Sequence, residues 1–206
     1  MLKIWGRANS ANVKKVLWTV EELDLAYERI DAGGAFGVVN EPAYRALNPN
    51  GLVPTLEEDG LVLWESNAIV RYLSAKYGPE KFGPAELGAR AAADKWMDWT
   101  ISTLNPVYRD VFWTMVRTPP EVRDMAKVGA GIAATAKALA IAEATLERQP
   151  YLSGEACGIG DVPLGCIAYG WFEMAIERPK MPALEAWYHR LTERPAYRNA
   201  VMIPLT

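Results

Sequence analysis

Two regimes of hydrophobic patterning divide the chain. Up to about residue 78, short apolar runs alternate with stretches whose apolar residues recur every three or four positions. Residues 2–5 and 24–30 predict strands, and residues 11–24 have the spacing of an amphipathic helix. Two strands joined by a helical crossover are typical of a parallel pair. The chain is therefore predicted to begin with a β-α-β unit.

A second group of elements follows a Gly-rich loop at residues 33–39, which we expect to be mobile. A short helix is predicted near residues 42–47, and Asp59-Gly60 is a two-residue turn signal between two apolar runs. Those runs predict an antiparallel hairpin, and helical spacing returns over residues 66–76. The element order β-α-β, α, β-β-α is that of a thioredoxin-like domain.

Beyond a Gly- and Pro-rich linker at residues 79–85 the spacing of apolar residues is helical. Pro106 lies inside the first helical stretch and predicts a kink near Thr103. We therefore expect an α/β thioredoxin-like N-terminal domain over residues 1–78 and an all-α C-terminal domain over residues 86–206. The predicted helices of the second domain cover residues 86–116, 121–148, 161–176 and 184–193.

Composition and charge argue against several classes of protein. The net charge of the 206 residues is −3 and the longest basic run is Lys14-Lys15, so no nucleic acid partner is expected. No apolar run approaches the roughly 20 residues of a membrane span. The first ten residues lack the apolar segment of a signal peptide, so we expect a cytoplasmic protein without a membrane partner. Two cysteines and one histidine predict neither disulfides nor a metal site.

Residues 47–75, LNPNGLVPTLEEDGLVLWESNAIVRYLSA, carry the most informative chemistry. Val53-Pro54 opens a strand and places a backbone without a free N–H beside an edge that a ligand can reach. Ser66 and Asn67 open a helix, where unpaired N–H groups and the positive end of the helix dipole suit a carboxylate. The stretch predicts a pocket that holds a peptide-like molecule by its backbone and its charged end.

These segments resemble the soluble glutathione S-transferases over essentially the whole chain, in particular bacterial serine-type, theta- or nu-like members. The resemblance is carried by NPNGLVPTL, ESNAIVRYL, the Pro/Gly linker and GIGDVPLGC. Val53-Pro54 together with Glu65-Ser66, in the correct order of elements, is its specific part. The family implies the glutathione transferase fold and a homodimer. Its interface would use the helices beginning at Ser66 and Glu86, with polar contacts from Arg71, Arg90 and Asp94.

The resemblance also implies glutathione as the co-substrate and gives roles to the matching residues. A cis bond before Pro54 would expose the N–H and C=O of Val53 to the cysteinyl backbone of glutathione. The residues alone favour trans, with Pro54 as an ordinary proline at a strand start. Ser66 would bind the γ-glutamyl carboxylate and Glu65 its ammonium group. Ser66 as a helix N-cap is a compatible interpretation.

The loop RANSAN, after the first strand, contains the residues that match the family's sulfur-activating position. Ser10 is the best match, and Asn12 is a possible second donor. Hydrogen bonds from these groups would favour the thiolate of a thiol whose ordinary pKa is about 8.5, without a general base or metal. The alternative for Ser10 is a simple helix N-cap.

Tyr108, Phe112 and Trp113, with Arg109 nearby, are the candidates for an electrophile site between the domains. Their aromatic character suggests a flat or apolar substrate, and ordinary core packing is the alternative. The predicted function is conjugation of glutathione to small electrophiles. Glutathione-dependent peroxide or disulfide reduction, and a non-catalytic glutathione-binding scaffold, remain open. In GIGDVPLGC we expect Gly158 at a helix cap and Asp161 bonded to buried backbone donors.

Overall fold

A computed structural model describes residues 1–79 and 81–206 and contains the predicted thioredoxin-like sheet. The four strands lie in the order β2-β1-β3-β4. The first two strands run parallel, and both other pairs are antiparallel. The strands are β1 (Leu2–Trp5), β2 (Tyr27–Ile30), β3 (Thr55–Glu58) and β4 (Leu61–Trp64).

The three predicted helices of this part are present: α1 (Ala11–Glu22), α2 (Pro42–Leu47) and α3 (Ser66–Tyr77). The first of them ends two residues earlier than predicted. Asp24 has a φ of 54°, in the left-handed region, so the backbone leaves the helix there. The following strand consequently starts at Tyr27, where pairing with Leu2 begins.

The second part of the chain is helical, as predicted. Its helices are α4 (Leu87–Trp99), α5 (Asn105–Phe112), α6 (Met125–Leu146), α7 (Val162–Glu173), α8 (Pro182–Thr192) and α9 (Pro195–Ala200). The last one was not predicted, because Arg194-Pro195 was interpreted only as a helix stop. A proline at the first helical position needs no hydrogen-bond partner, so Pro195 starts a helix instead. The boundaries of the two domains stay a prediction.

The predicted distortion near Thr103 is a widened turn. Residues 100–104 form a π-helical turn between α4 and α5, and the N–H of Asn105 bonds the carbonyl of Thr100. Pro106 has no N–H to give, so the regular hydrogen-bond ladder cannot continue through it. A second π turn, Trp113–Arg117, follows α5. Both widened turns flank the helix that carries the aromatic candidates.

Asp161 lies at the N-cap of α7, so the prediction that placed Gly158 at the cap was wrong. Asp161 is fully buried, and its carboxylate accepts backbone N–H groups from Leu152 at 2.8 Å and from Gly158 at 3.1 Å. Trp187 Nε1 donates to it at 2.8 Å. The predicted role of Asp161 in satisfying buried donors is thus confirmed, and the residue ties α7 to α8.

By length and composition alone, α6 is long and apolar enough to cross a membrane, which the sequence reading did not anticipate. In the structure this helix packs against α5 and α8. Helices of soluble proteins meet the same length and composition test. Because it packs against these two helices, α6 is part of the helical bundle.

The polar groups expected at a dimer interface bond within the chain. Arg71 Nε lies 3.0 Å from an oxygen of Asp94, and Arg71 also pairs with Asp98. Arg90 Nη2 donates to the carbonyl of Arg71 at 3.1 Å. These contacts connect α3 to α4, and the homodimer itself stays a prediction.

Candidate active site

Two cavities meet at the loop between β1 and α1. The larger, of about 250 Å³, lies between the sheet-containing part and the helical part. The smaller, of about 40 Å³, lies where β3 and α3 begin. Asn12 lines both cavities, and Ser10 lines the larger one. The loop predicted to hold the thiol-activating groups therefore stands where the contents of the two cavities would meet.

The smaller cavity brings together all four residues predicted to bind glutathione, Val53, Pro54, Glu65 and Ser66. The Val53-Pro54 bond is cis, as the family resemblance implied. Within the described residues, no hydrogen bond engages the N–H or the C=O of Val53. Both groups are therefore available to an extended ligand backbone, in the manner of an added strand.

The segment before Val53 is fixed by buried polar contacts. The hydroxyl of Tyr44 donates to the carbonyl of Leu52 at 2.6 Å, and Asn48 Nδ2 donates to the same oxygen at 2.9 Å. Tyr44 and Asn48 also bond the hydroxyl of Thr55, at 2.9 and 3.1 Å. These bonds tie Leu52 and Thr55, on either side of the Val53-Pro54 bond, to α2 and its C-cap. The free N–H and C=O of Val53 are therefore held in one orientation.

Glu65 rather than Ser66 is the N-cap of α3, so the N-cap interpretation of Ser66 was wrong. Glu65 has a φ of 72°, an uncommon conformation for a residue with a side chain. Such conformations cost on the order of 1–3 kcal/mol and cluster at functional sites. The Glu65 side chain is exposed beside the cavity and has no hydrogen-bond partner among the described residues. Its carboxylate is free to accept from a ligand ammonium.

Ser10 occupies the N-cap position of α1, but its side chain makes no capping bond. Its backbone is engaged, since its carbonyl accepts from Lys14 and its N–H donates to Arg7. Ser10 therefore stands at the N-cap, as the alternative interpretation expected, but its hydroxyl does not take part in capping. That hydroxyl is half-buried at the larger cavity and is available as a donor.

Lys15 orients Asn12, a role that sequence reasoning missed. Lys15 is buried, and its Nζ donates to Asn12 Oδ1 at 3.0 Å and contacts Ser66 Oγ at 3.4 Å. Since Asn12 Oδ1 accepts from Lys15 Nζ and, at 3.4 Å, from the Ser66 hydroxyl, its Nδ2 hydrogens are left for a ligand. Burial lowers the pKa of Lys15 to about 8, although the negative charge of Glu65 opposes the shift. The signal in the sequence was a lysine pair within an apolar stretch.

The larger cavity brings together the three predicted electrophile-site residues, Tyr108, Phe112 and Trp113. Tyr108 is buried, whereas Trp113 is 54% exposed at the cavity. The Tyr108 and Phe112 rings are 5.9 Å apart. Gly170 lies opposite the Tyr108 hydroxyl, where any side chain would collide with it. Gly170 therefore leaves room for the Tyr108 hydroxyl at the cavity wall. Nothing in the sequence around Gly170 indicated that role.

Neither cysteine supplies a reactive thiolate. Cys166 lines the larger cavity but is buried, and burial raises its pKa to about 12. Burial also raises the pKa of Cys157 well above its usual value, and the charge of Asp161 adds to the shift. Across residues 1–79 and 81–206, no cluster of three His, Cys, Asp or Glu side chains forms a metal-binding group. The chemistry of the cavities rests on hydroxyl, amide, aromatic and cationic groups and on the carboxylate of Glu65.

Comparison with known proteins finds relatives of the whole chain. The family model for the glutathione S-transferase N-terminal domain matches residues 1–75, and that for the C-terminal domain matches residues 104–195. The chain is 46% identical to glutathione S-transferase GstB of Escherichia coli K12, covering all of both chains. It is 31% identical to glutathione S-transferase 4 of Zea mays, covering 95% of this chain and 89% of that one.

A solved structure shares the fold closely. It is the theta class glutathione S-transferase of Xanthomonas axonopodis pv. citri with glutathione bound, with a TM-score of 0.96 and 56% identity. The match covers 100% of this chain and 99% of that one. With two matching domain models and full-length relatives, the chain belongs to the glutathione S-transferase family.

Proposed function

We propose that this transferase binds glutathione in the smaller cavity and conjugates its thiolate to a small electrophile held in the larger one. The observation that carries the proposal is the hydroxyl of Ser10, which has no hydrogen-bond partner among the described residues, beside an Asn12 that lines both cavities. Val53 would pair with the cysteinyl backbone, Ser66 with the γ-glutamyl carboxylate and Glu65 with its ammonium. The Xanthomonas relative with glutathione bound supports this choice of ligand.

Thiolate stabilisation by hydrogen bonds supplies the chemistry. The bound thiol releases its proton to solvent, and the Ser10 hydroxyl and the Asn12 amide donate to the sulfur anion. Lowering the thiol pKa by about two units requires roughly 2.7 kcal/mol of preferential stabilisation. A hydrogen bond to a charged group contributes about 1.5–3 kcal/mol, so one or two donors are sufficient. The thiolate then forms the S–C bond as the leaving group departs from the electrophilic carbon.

Removal of the Ser10 hydroxyl tests this mechanism. Ser10→Ala is expected to raise the pKa of bound glutathione and to lower kcat/KM with 1-chloro-2,4-dinitrobenzene about 10- to 100-fold, the loss of one charge-assisted hydrogen bond. Thiolate absorbance against pH and steady-state kinetics measure the two effects. Ser10→Thr keeps a hydroxyl and serves as the matched control. An unchanged thiol pKa and rate in Ser10→Ala would leave Ser10 with only a structural role.

A panel of second substrates separates conjugation from the other reactions. An aryl halide, an organic hydroperoxide and a mixed disulfide are assayed with glutathione under the same conditions. The proposal expects the aryl halide to be consumed fastest relative to its uncatalysed reaction. Turnover of only the peroxide or the disulfide would assign a reductase, and binding of glutathione without any turnover would assign a scaffold.

The proposal includes a cytoplasmic homodimer that acts in detoxification. The interface would use the outer surfaces of α3 and α4, whose polar side chains Arg71 and Asp94 bond to each other within one chain. Sedimentation equilibrium measures the solution mass. A mass of one chain at micromolar concentration would contradict the dimer.

A further inference from the structure

The last residues of the sequence form part of the wall of the larger cavity. Pro204, Leu205 and Thr206 line it together with residues of the β1–α1 loop and of α5. We call residues 202–206 the C-terminal strap. The strap follows α9 of the helical part, and its end bonds Asn9 in the loop after β1. It therefore crosses from one part of the protein to the other at the electrophile site.

The start of the strap is firmly anchored. Val201, the residue before it, is buried, and its N–H donates to the carbonyl of Tyr197 at 2.8 Å. The carbonyl of Val201 accepts from the buried Lys14 Nζ at 2.8 Å and from the N–H of Ile203 at 2.9 Å. The strap consequently leaves α9 at a fixed point beside α1.

Beyond Ile203 the strap is held much less by its own backbone. Pro204 has no N–H, and among the described residues no main-chain group accepts the N–H of Leu205 or Thr206. Pro204 and Thr206 are exposed, whereas Leu205 is half-buried against the core. Segments with few backbone hydrogen bonds and high exposure open at a lower free energy than the core. The position of the strap at the cavity therefore depends on the contacts at its end.

Two side chains hold that end, and we call their contacts the latch. Arg117 Nε and Nη2 both donate to the main-chain oxygen of Thr206 at 3.1 Å, and Asn9 Nδ2 donates to the Thr206 hydroxyl. In a chain that ends at Thr206 this oxygen belongs to the terminal carboxylate, and the Arg117 contact is an ion pair. All three hydrogen bonds are exposed to solvent, so each contributes little and water can replace it.

Both donors of the latch are themselves held at the cavity. The guanidinium of Arg117 lies 4.5 Å from the ring centre of Trp113, and Asn9 Oδ1 accepts from Arg7 Nη1 at 2.6 Å. Arg7, Asn9, Trp113 and Arg117 all line the larger cavity. The closed strap is therefore in a defined position, although the bonds that close it are weak.

We propose that the C-terminal strap limits the length of the electrophile that this enzyme accepts, and that Arg117 and Asn9 hold it closed. This inference rests on the proposed transferase function, in which the electrophile bonds the glutathione sulfur near Ser10 and extends into the larger cavity. A group short enough for the closed cavity is buried against the aromatic residues. A longer group must displace Leu205 and Thr206, and the loss of the latch offsets the gain from its burial.

The competing assignment is that the latch only orders the end of the chain. Arg117 also packs over Trp113 and Phe112, so its removal alone changes the aromatic site as well as the latch. Thr206→Val is the independent variant. It removes the hydroxyl that Asn9 bonds and leaves Arg117 and both rings in place.

The test measures how the affinity of S-alkylglutathiones depends on the length of the alkyl group. Calorimetry gives the Kd of the S-methyl, S-hexyl and S-decyl compounds, which carry the alkyl group of a product on the sulfur. Free burial of each methylene group would raise the affinity about fourfold. For the unaltered enzyme we expect a rise from methyl to hexyl and a further gain of less than about threefold from hexyl to decyl, because burial ends at the strap.

Thr206→Val and Arg117→Gln are each expected to raise the decyl-to-hexyl affinity ratio about 2- to 10-fold, the loss of one hydrogen-bonded contact from the latch. Their affinity for S-methylglutathione should stay unchanged, since its methyl group does not reach the strap. Arg148→Gln removes an exposed arginine that does not line the cavity, and it is expected to leave the ratio unchanged.

Each other outcome has a definite meaning. An unchanged ratio in Thr206→Val overturns the inference whatever Arg117→Gln shows, because a change in Arg117→Gln alone belongs to its contacts with the rings. A steady fourfold gain per methylene up to decyl in the unaltered enzyme also overturns it, since the strap then imposes no limit. Both results leave the proposed glutathione site intact. Failure of S-methylglutathione to bind the unaltered enzyme removes that site, and this inference with it.

Discussion

The ammonium group of Lys15 joins the two sides of the proposed glutathione site. It bonds Asn12, which faces the thiol, and contacts Ser66, which begins the helix for the γ-glutamyl carboxylate. Both contacts are donated by a group whose pKa burial lowers to about 8. The protonation state of Lys15 therefore changes close to the pH range in which the bound thiol ionises.

The pH dependence of activity follows from this residue. As pH rises, kcat/KM should increase with thiol ionisation and decline above about 8 as Lys15 loses its proton and its hold on Asn12. Lys15→Met, which has no titrating group, is expected to abolish the alkaline decline and lower the plateau. Lys137→Met, at an exposed position on α6, is the control. An alkaline decline that persists in Lys15→Met would assign it to another group.

Stability should also depend on pH through Lys15. Its folded pKa of about 8 lies below the ordinary 10.5, so the unfolded chain binds more protons between these values. The free energy of unfolding is therefore expected to rise with pH over that interval, by an amount on the order of 3 kcal/mol. Urea unfolding at a series of pH values measures the slope. The slope should be smaller in Lys15→Met, and equal slopes in both proteins would contradict the prediction.

At the residue scale, sequence found the groups that lie in contiguous motifs. Val53, Pro54, Glu65 and Ser66 were predicted together and line one cavity, because short elements bring them together. The shared position of Arg7 and Arg117 at the larger cavity was missed for a physical reason. The two residues are far apart in sequence, and nothing local indicates that they line one cavity.

At the scale of elements, the start of α7 depends on one buried carboxylate. Asp161→Ala would leave several buried donors without an acceptor, including the backbone N–H groups of Leu152 and Gly158 and the indole of Trp187. Each unsatisfied donor costs about 1–3 kcal/mol, so a loss of at least 3 kcal/mol in the free energy of unfolding is expected. Urea denaturation measures it. Glu155→Ala, at an exposed carboxylate nearby, should change it little, and equal losses would refute the assignment.

Sequence predicted which elements exist better than where they end. Helix α6 begins at Met125, four residues later than expected, because Asp124 accepts the N–H of Lys127 and a separate turn precedes it. The π turns around α5 could be predicted only as a kink at Pro106, since the wider hydrogen-bond register depends on packing. Periodicity reports the buried face of a helix and not the cap that ends it.

At the scale of the whole molecule, α1 is the structural link. It packs against α3 on the side of the sheet and against α7 and α9 of the helical part. Trp18 of α1 is fully buried, and a side chain added at Gly165 of α7 would lie 2.6 Å from its ring. The two parts approach closely only because residue 165 has no side chain.

Gly165→Ala tests this contact. The added methyl group should force Trp18 or α7 to move and lower the free energy of unfolding by about 1–3 kcal/mol, the usual cost of overpacking. Gly129→Ala is the matched control, because Gly129 is also helical and has open space around it. That substitution is expected to stabilise by up to about 1 kcal/mol through helix propensity. Thermal denaturation compares them, and equal shifts in Tm would argue against the close approach.

The pairing of Arg194 with Glu22 has a consequence for how the molecule melts. Arg194 Nε and Nη2 each donate to one carboxylate oxygen at 2.6 Å, and the indole of Trp18 donates to the same carboxylate at 2.8 Å. This bidentate contact, next to the buried indole, locks the end of α1 to the segment that starts α9. Chains with two domains often melt in steps. Here we expect one calorimetric peak with equal van't Hoff and calorimetric enthalpies, so that neither half persists once the other is lost.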